Sequence, residues 1–177
     1  MLKTLIGGPK LEHLLVLLQR AVHHEGAIVE FGVYHGGTLK IMAETYPDRM
    51  CYGFDTWDGL PVEKWSKDEP HNPGDFRDCD FESMRAEMPP NVQLCRGLFP
   101  DSARGLDIRV AFAHVDFDFH ASTADAIKWL RQHMVPGGIA VFDDYQWAHC
   151  PGVKRAIVEA GVPIQKSTLH QVFWVNE

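Results

Sequence analysis

The chain has 177 residues, 17 Lys and Arg against 24 Asp and Glu, a net charge of −7 and an apolar fraction of 45%. That length can bury a proper core as one domain over 1–177, and the acidic balance argues against a nucleic-acid or anionic-membrane partner, which would want a basic face. Cys51, Cys79, Cys95 and Cys150 are scattered with no CxxC pair, so they read as reduced thiols and not as a disulfide or zinc framework. The run LLVLL is too short to span a bilayer and no small-residue cleavage site follows it, which makes cytoplasmic residence the expectation.

Leu11, Leu14, Leu15, Leu18 and Val22 recur at helical spacing and predict a helix over 10–24, ended by Gly26. The apolar run 27–33 predicts a buried parallel strand, and Gly36-Gly37 turns the chain into a helix that Pro47-Asp48 stops. A second strand over 51–54 ends at Asp55. Residues 56–79 show no period and carry Gly, Pro and aromatic residues, so they are expected to form an active-site lid or loop. A helix over 80–88 ends at Pro89-Pro90. Strands follow at 92–95 and 110–115. Ser122 or Thr123 can cap a helix to about Met134, Pro136-Gly137-Gly138 turns back, and Ile139 to Phe142 forms the fifth strand. Pro151 starts a helix that stops at Gly161, and strands near 163–168 and 170–175 close the chain as a hairpin. Alternating strands and helices predict an α/β fold: one doubly wound Rossmann-like domain with a mostly parallel seven-stranded sheet and an antiparallel closing strand.

The phrases AHVDFDFH and GGIAVFDDY place Asp116 and Asp118 after one apolar run, and Asp143 and Asp144 after another. Side chains alternate along a strand, so Asp116 and Asp118 share a face, and His120 joins them if the strand continues. Carboxylates held together repel and titrate upward unless a cation sits among them; an all-oxygen set suits Mg²⁺ or Mn²⁺. The bland reading is that these residues end strands and cap helices. In open α/β sheets ligands bind beyond the C-terminal strand ends, where Glu30, Asp55 and both acidic pairs would all lie.

The turn after the first strand, EFGVYHGG, is glycine-rich but is not GxGxxG. Gly32 and Gly36 permit close backbone approach, and Asp55 stands about 20 residues on, where a carboxylate reaches ribose hydroxyls. Glu30 lies inside an apolar strand and needs a partner: a cofactor amine, loop N–H groups or a buried Lys or Arg. Tyr145 and Trp147 either line an acceptor pocket or pack the final helix. His149-Cys150 would suit a softer metal, with a plain loop position as the alternative.

EFGVYHGG, GFDTWDGLP, NVQLCRGLFPDS, HVDFDFHASTADAIKWLRQHMVPGGIAVFDDY and PGVKRAI, in that order over about 26–160, resemble the macrocin O-methyltransferase family. These are class I enzymes that use S-adenosylmethionine and Mg²⁺. The resemblance implies cofactor contacts at Glu30, Phe31, Gly32, Gly36, Asp55, Thr56, Trp57 and Asp116. It implies metal ligation by Asp116, Asp143 and Asp144, and a general base at Asp118. Where the family usually has Tyr two residues after that base this chain has His120, which becomes a second candidate base, and where it has Ser after the strand-two acid this chain has Thr56. The expected activity is O-methylation of a hydroxyl, in a vicinal diol of a sugar or natural product, with a small-molecule or glycan acceptor; homo-oligomer formation is left open. The competing readings are a catechol-type O-methyltransferase, an NAD-linked oxidoreductase, and a non-catalytic nucleotide- or metal-binding protein. DFDF at the end of strand four differs from the Asn/Asp-Pro-Pro-aromatic phrase of many amine methyltransferases.

Overall fold

The computed structural model describes residues 3–168 and 170–177. Among them the elements run α1 (Gly8–Ala21), β1 (Ala27–Phe31), α2 (Gly37–Thr45), β2 (Cys51–Asp55), α3 (Phe81–Ala86), β3 (Val92–Arg96), β4 (Val110–Val115), α4 (His120–His133), β5 (Met134–Phe142), α5 (Pro151–Ala160), β6 (Ile164–Lys166) and β7 (Val172–Val175). The seven strands form one sheet in the order β3-β2-β1-β4-β5-β7-β6, with β7 alone antiparallel to its neighbours. This is the mostly parallel, doubly wound sheet that the alternation of elements predicts.

The central strands explain why the sheet needs cover on both faces. Every residue of β1 and β4 is buried, as an unbroken apolar run in a parallel sheet must be. Ile28, Phe112 and Val141 meet Leu14, Leu17 and Leu18 of α1, Leu39 and Met42 of α2 and Met84 of α3. Their alternates Val29, Phe31, Ala113 and Phe142 meet Ala126, Ile127 and Leu130 of α4 and Val153 and Ile157 of α5. Phe31 stacks on Phe54 at 5.4 Å and meets Phe99 edge-on at 5.0 Å. Truncating such a ring costs about 3–5 kcal/mol.

Three local expectations change. β4 stops at Val115, and α4 starts at His120, ahead of Ser122 and Thr123; the Thr123 hydroxyl donates to the Phe119 carbonyl at 2.9 Å instead of capping. β5 starts at Met134, so Pro136-Gly137-Gly138 lies within a strand. The pairing of β4 with β5 shifts register there, from Val110 opposite Met134 to Phe112 opposite Ile139. Such an irregularity accommodates a proline that has no N–H for the ladder. β1 ends at Phe31, two residues early, because Gly32 turns with φ +85°. The final helix ends as expected, on left-handed Gly161. No helix among the described residues is long and apolar enough to cross a membrane.

Candidate active site

The strand order reverses direction at β1 and β4, and the crevice beyond their C-terminal ends is where this topology leaves room for a ligand. A cavity of about 280 Å³ lies there. Gly32, Asp55, Thr56, Asp116, Asp118, Asp143 and Asp144 all line it. The rest of the wall is largely apolar: Leu5 and Ile6 ahead of α1, Leu60 and Phe76 from the 56–79 loop, Leu98, Phe99, Phe117 and Trp147.

Gly32 sits where β1 passes closest to the end of β4. A Cβ at this position would run into the Asp116 carbonyl oxygen, and φ is left-handed as well, so only glycine fits. The turn after it is stapled by Asp55. Its Oδ2 accepts the Val33 and Tyr34 N–H groups at 2.8 and 2.9 Å, and its Oδ1 accepts the Trp57 N–H at 2.9 Å. The carboxylate therefore ties the turns after β1 and β2 together.

Strand alternation puts Glu30, His114, Asp116 and Asp143 on the sheet face covered by α1. Glu30 and His114 are cross-strand neighbours, joined Oε1 to Nδ1 at 2.9 Å with both side chains buried. His114 Nε2 lies 3.9 Å from Asp143 Oδ2, beyond hydrogen-bond length but within ion-pair range. Burial opposes a charged His114, yet Asp143, Glu30 and Asp116 outweigh it and hold the imidazolium up to about 10. Lys10, from the first turn of α1, reaches Asp143 Oδ1 at 2.5 Å and Asp144 Oδ1 at 3.1 Å. Burial alone would push Asp143 up, but His114 and Lys10 hold it down to about 2. Asp116 and Asp144 go the other way: burial and the Asp143 charge raise both. Lys10 thus bridges Asp143 and Asp144, His114 stands as a second cation beside Asp143, and the mutual repulsion of the carboxylates remains at Asp116 and Asp144. His114, Asp116 and Asp143 each bring a possible ligand atom within 4.8 Å of the others, and Lys10 ties Asp144 to Asp143; oxygen-rich sets of this kind suit hard divalent ions.

Asp118 and Asp144 both have left-handed backbones, at φ +58° and +57°. Such conformations cost about 1–3 kcal/mol and concentrate at functional sites. Burial pushes the Asp118 carboxyl up to about 7, with Asp144, Asp55 and Asp143 adding to the rise and a hydrogen bond from the Cys150 thiol at 3.3 Å opposing it.

The 56–79 loop is anchored at several points. Lys64 pairs with Asp125 of α4 at 2.5 Å. Buried Glu69 accepts the His120 N–H at the head of α4 at 2.9 Å, where a helix start favours an anion. Thr56 donates to the Gly59 carbonyl at 2.7 Å.

Several expected site residues do not line the cavity. Glu30 is buried behind it and, among the described residues, its side-chain partner is a histidine in place of the expected Lys or Arg. Phe31 belongs to the aromatic core. Gly36 is the left-handed N-cap of α2 and makes room for Met84 and Met88. Trp57 packs on Phe81 at 4.7 Å and donates its indole N–H to the Tyr34 carbonyl at 3.0 Å. His120 does not continue the strand; its ring turns to Glu159 at 2.7 Å. Of the two aromatics after the second acidic pair, Trp147 lines the cavity and Tyr145 packs against the core. Sequence reasoning missed Lys10, His114 and Glu69. His114 carried a signal, a polar residue within an apolar strand at the same parity as Asp116; Lys10 carried none beyond its charge.

The family model for macrocin-O-methyltransferase (TylF) matches residues 1–161. A Streptomyces olivaceus protein, 8-demethyl-8-(2,3-dimethoxy-alpha-L-rhamnosyl)-tetracenomycin-C 4'-O-methyltransferase, is 25% identical over 169 residues, covering 83% of this chain and 64% of that protein. The chain thus spans under two thirds of that relative's length. The structure of the O-methyltransferase NovP superposes with a TM-score of 0.83 at 24% identity, covering 98% of this chain and 81% of that one. An O-methyltransferase from Bacillus cereus, solved in complex with SAH, gives 0.65 at 14% identity, covering 99% and 84%. At these identities the structural likenesses show the fold. The sequence match over nearly the whole chain shows more: the chain belongs to the macrocin-O-methyltransferase family.

Proposed function

We propose that this chain is an S-adenosylmethionine-dependent O-methyltransferase that methylates a hydroxyl, in a vicinal diol, of a sugar or natural product with the help of Mg²⁺ or Mn²⁺. The observation that carries the reading is the convergence of Asp116, Asp118, Asp143 and Asp144 on one cavity beside the Gly32 turn. Family membership and the rhamnosyl-directed activity named for the Streptomyces relative support the acceptor class.

When bound, S-adenosylmethionine supplies a methyl group activated on a sulfonium, and the divalent ion supplies positive charge that lowers the pKa of a ligated hydroxyl. Asp116, Asp143 and Asp144 are the residues to hold the ion. Asp118 removes the acceptor's proton, and a carboxyl near 7 is matched to that task at neutral pH; such a step is typically worth about 10²–10⁴-fold. Gly32 and the Asp55-stapled turns admit the cofactor to the backbone, with the remaining acceptor capacity of Asp55 open to ribose hydroxyls and Thr56 beside it. Leu60, Leu98, Phe99 and Phe117 keep water from the reacting atoms, and holding the acceptor in line contributes several kcal/mol more.

Calorimetry with S-adenosylmethionine and with NAD, each with and without Mg²⁺, tests the cofactor, and transfer of labelled methyl to a panel of sugars and catechols tests the chemistry. Binding of NAD in place of S-adenosylmethionine would make the chain an oxidoreductase. Tight S-adenosylmethionine binding with no transfer across the panel would leave a non-catalytic binding protein.

A further inference from the structure

Asp118 lines the cavity, and His71 and Cys150 stand beside it, outside the lining. A ligand atom of each of His71, Asp118 and Cys150 lies within 4.8 Å of the others. They come from three separate segments: the 56–79 loop, the turn after β4 and the N-cap of α5. Cys150 is fully buried, and its Sγ is 3.3 Å from Asp118 Oδ1. His71 Nε2 is buried with no hydrogen-bond partner. An orphaned ring nitrogen inside a protein is costly, so it marks a place where something is missing.

The other side of that ring is prepared. His71 Nδ1 faces Asp75 Oδ2 at 3.7 Å, and the same carboxylate oxygen is fixed by the Asn72 N–H at 2.9 Å. The His71 carbonyl accepts the Trp65 indole N–H at 3.1 Å. That carboxylate lies beyond hydrogen-bond length but within ion-pair range, on the side of the ring where the partner that orients a metal-binding histidine stands. Tetrahedral Zn²⁺ at ordinary bond lengths sets its ligand atoms about 3.4–3.6 Å apart, close to the sulfur–oxygen separation already present.

We infer that His71, Asp118 and Cys150 form a second cation site, selective for Zn²⁺ or a similar borderline-soft ion, beside the all-carboxylate site. Binding breaks the Cys150 S–H bond, the proton passes to the buffer, and thiolate, imidazole and carboxylate hold the ion with water in the fourth place. The same ion would pin the 56–79 loop to the turn after β4. Occupancy itself does not depend on methyl transfer. Its consequence does, and rests on the proposed function: an ion on Asp118 takes the base out of use, so Zn²⁺ inhibits.

The test uses the full chain with Co²⁺ as a spectroscopic substitute for Zn²⁺, in saturating Mg²⁺. One equivalent of Co²⁺ should give an intense near-ultraviolet thiolate-to-cobalt band, displaced by Zn²⁺. Cys150→Ser should abolish the band, and His71→Ala, a change in a surface loop that leaves the core intact, should lose stoichiometric binding with unchanged thermal midpoint. A band that survives His71→Ala unchanged, or Co²⁺ that binds without any thiolate band and is driven off by Mg²⁺, overturns the site. Binding is read without turnover, so absence of methyl transfer would sink the proposed function while leaving this site intact.

Discussion

Replacing Lys10 with Met keeps an unbranched side chain one atom shorter and removes the ammonium with its charge and donors, and so asks whether the ammonium and a divalent ion compete for the same oxygens. At an effective dielectric of about 20, contacts of 2.5 and 3.1 Å correspond to roughly 5–7 kcal/mol each of gross attraction, most of it offset by desolvation. Breaking a buried pair costs about 3–5 kcal/mol because the partner is left uncompensated. The Lys10 side chain is 23% exposed and solvent screens it in part, so the expected cost falls to the bottom of that range or just below it, about 2–3 kcal/mol. For a chain of this length that lowers the melting temperature by roughly 4–12 °C. Scanning calorimetry in EDTA should show this loss, and in saturating Mg²⁺ most of it should vanish. By the same linkage the variant should bind Mg²⁺ roughly 30- to 150-fold more tightly in titration calorimetry. An equal melting deficit with and without Mg²⁺, together with unchanged Mg²⁺ affinity, would refute the idea that they share a site.

Asp118→Asn should cut turnover by about 10²–10⁴-fold while S-adenosylmethionine affinity in calorimetry stays the same; unchanged turnover removes Asp118 from the chemistry. Because the folded Asp118 carboxyl is raised to about 7 and a base acts only when deprotonated, kcat/KM should fall about tenfold per pH unit below neutrality and level off above it, and a profile flat across that window would contradict the assignment. Gly32→Ala should destabilise by about 1–3 kcal/mol in urea unfolding, since it adds a Cβ against the Asp116 carbonyl at left-handed φ. His114→Ala should cost about 3–5 kcal/mol by stranding Glu30, and adding Glu30→Gln should recover part of it in a double-mutant cycle; strictly additive losses would mean the pair is not coupled.

The fold was legible because its signals are local. Short apolar runs closed by turn residues mark β1 to β5, and Gly161 marks the end of α5. Boundaries failed where tertiary pairing overrode local chemistry: Pro136-Gly137-Gly138 reads as a turn, yet the ladder with β4 carries it through a register shift. Trp57 was legible as part of a motif but not in its role. The phrase FDTWDGLP places it after Asp55, while its left-handed backbone, φ +51°, swings the ring away to Phe81. His120 failed for a similar reason, since alternation stops counting once Asp118 leaves the extended conformation.

The acids could be found because strand ends gather at one edge of a parallel sheet, and a sequence states where strands end. The groups that answer those acids could not. Lys10 comes from the helix that covers the sheet, and only the packing of α1 across β4 and β5 decides that its ammonium reaches Asp143. His114 is placed by alternation, but that Glu30 stands beside it depends on the register of β1 against β4. His71 arrives on a loop with no period at all. An acidic edge of this kind cannot fold with its charges bare, so each carboxylate must be answered by a cation, a proton or a donor. In this chain Asp143 takes two cations, Asp118 holds its proton up to neutrality, and Asp55 takes backbone N–H groups. Asp116, half-buried at the cavity wall and raised by desolvation and the Asp143 charge, has no direct ion pair of its own among the described residues and is the carboxylate with the most to gain from a divalent ion. Replacing that one residue should therefore stabilise the metal-free protein and weaken Mg²⁺ binding together.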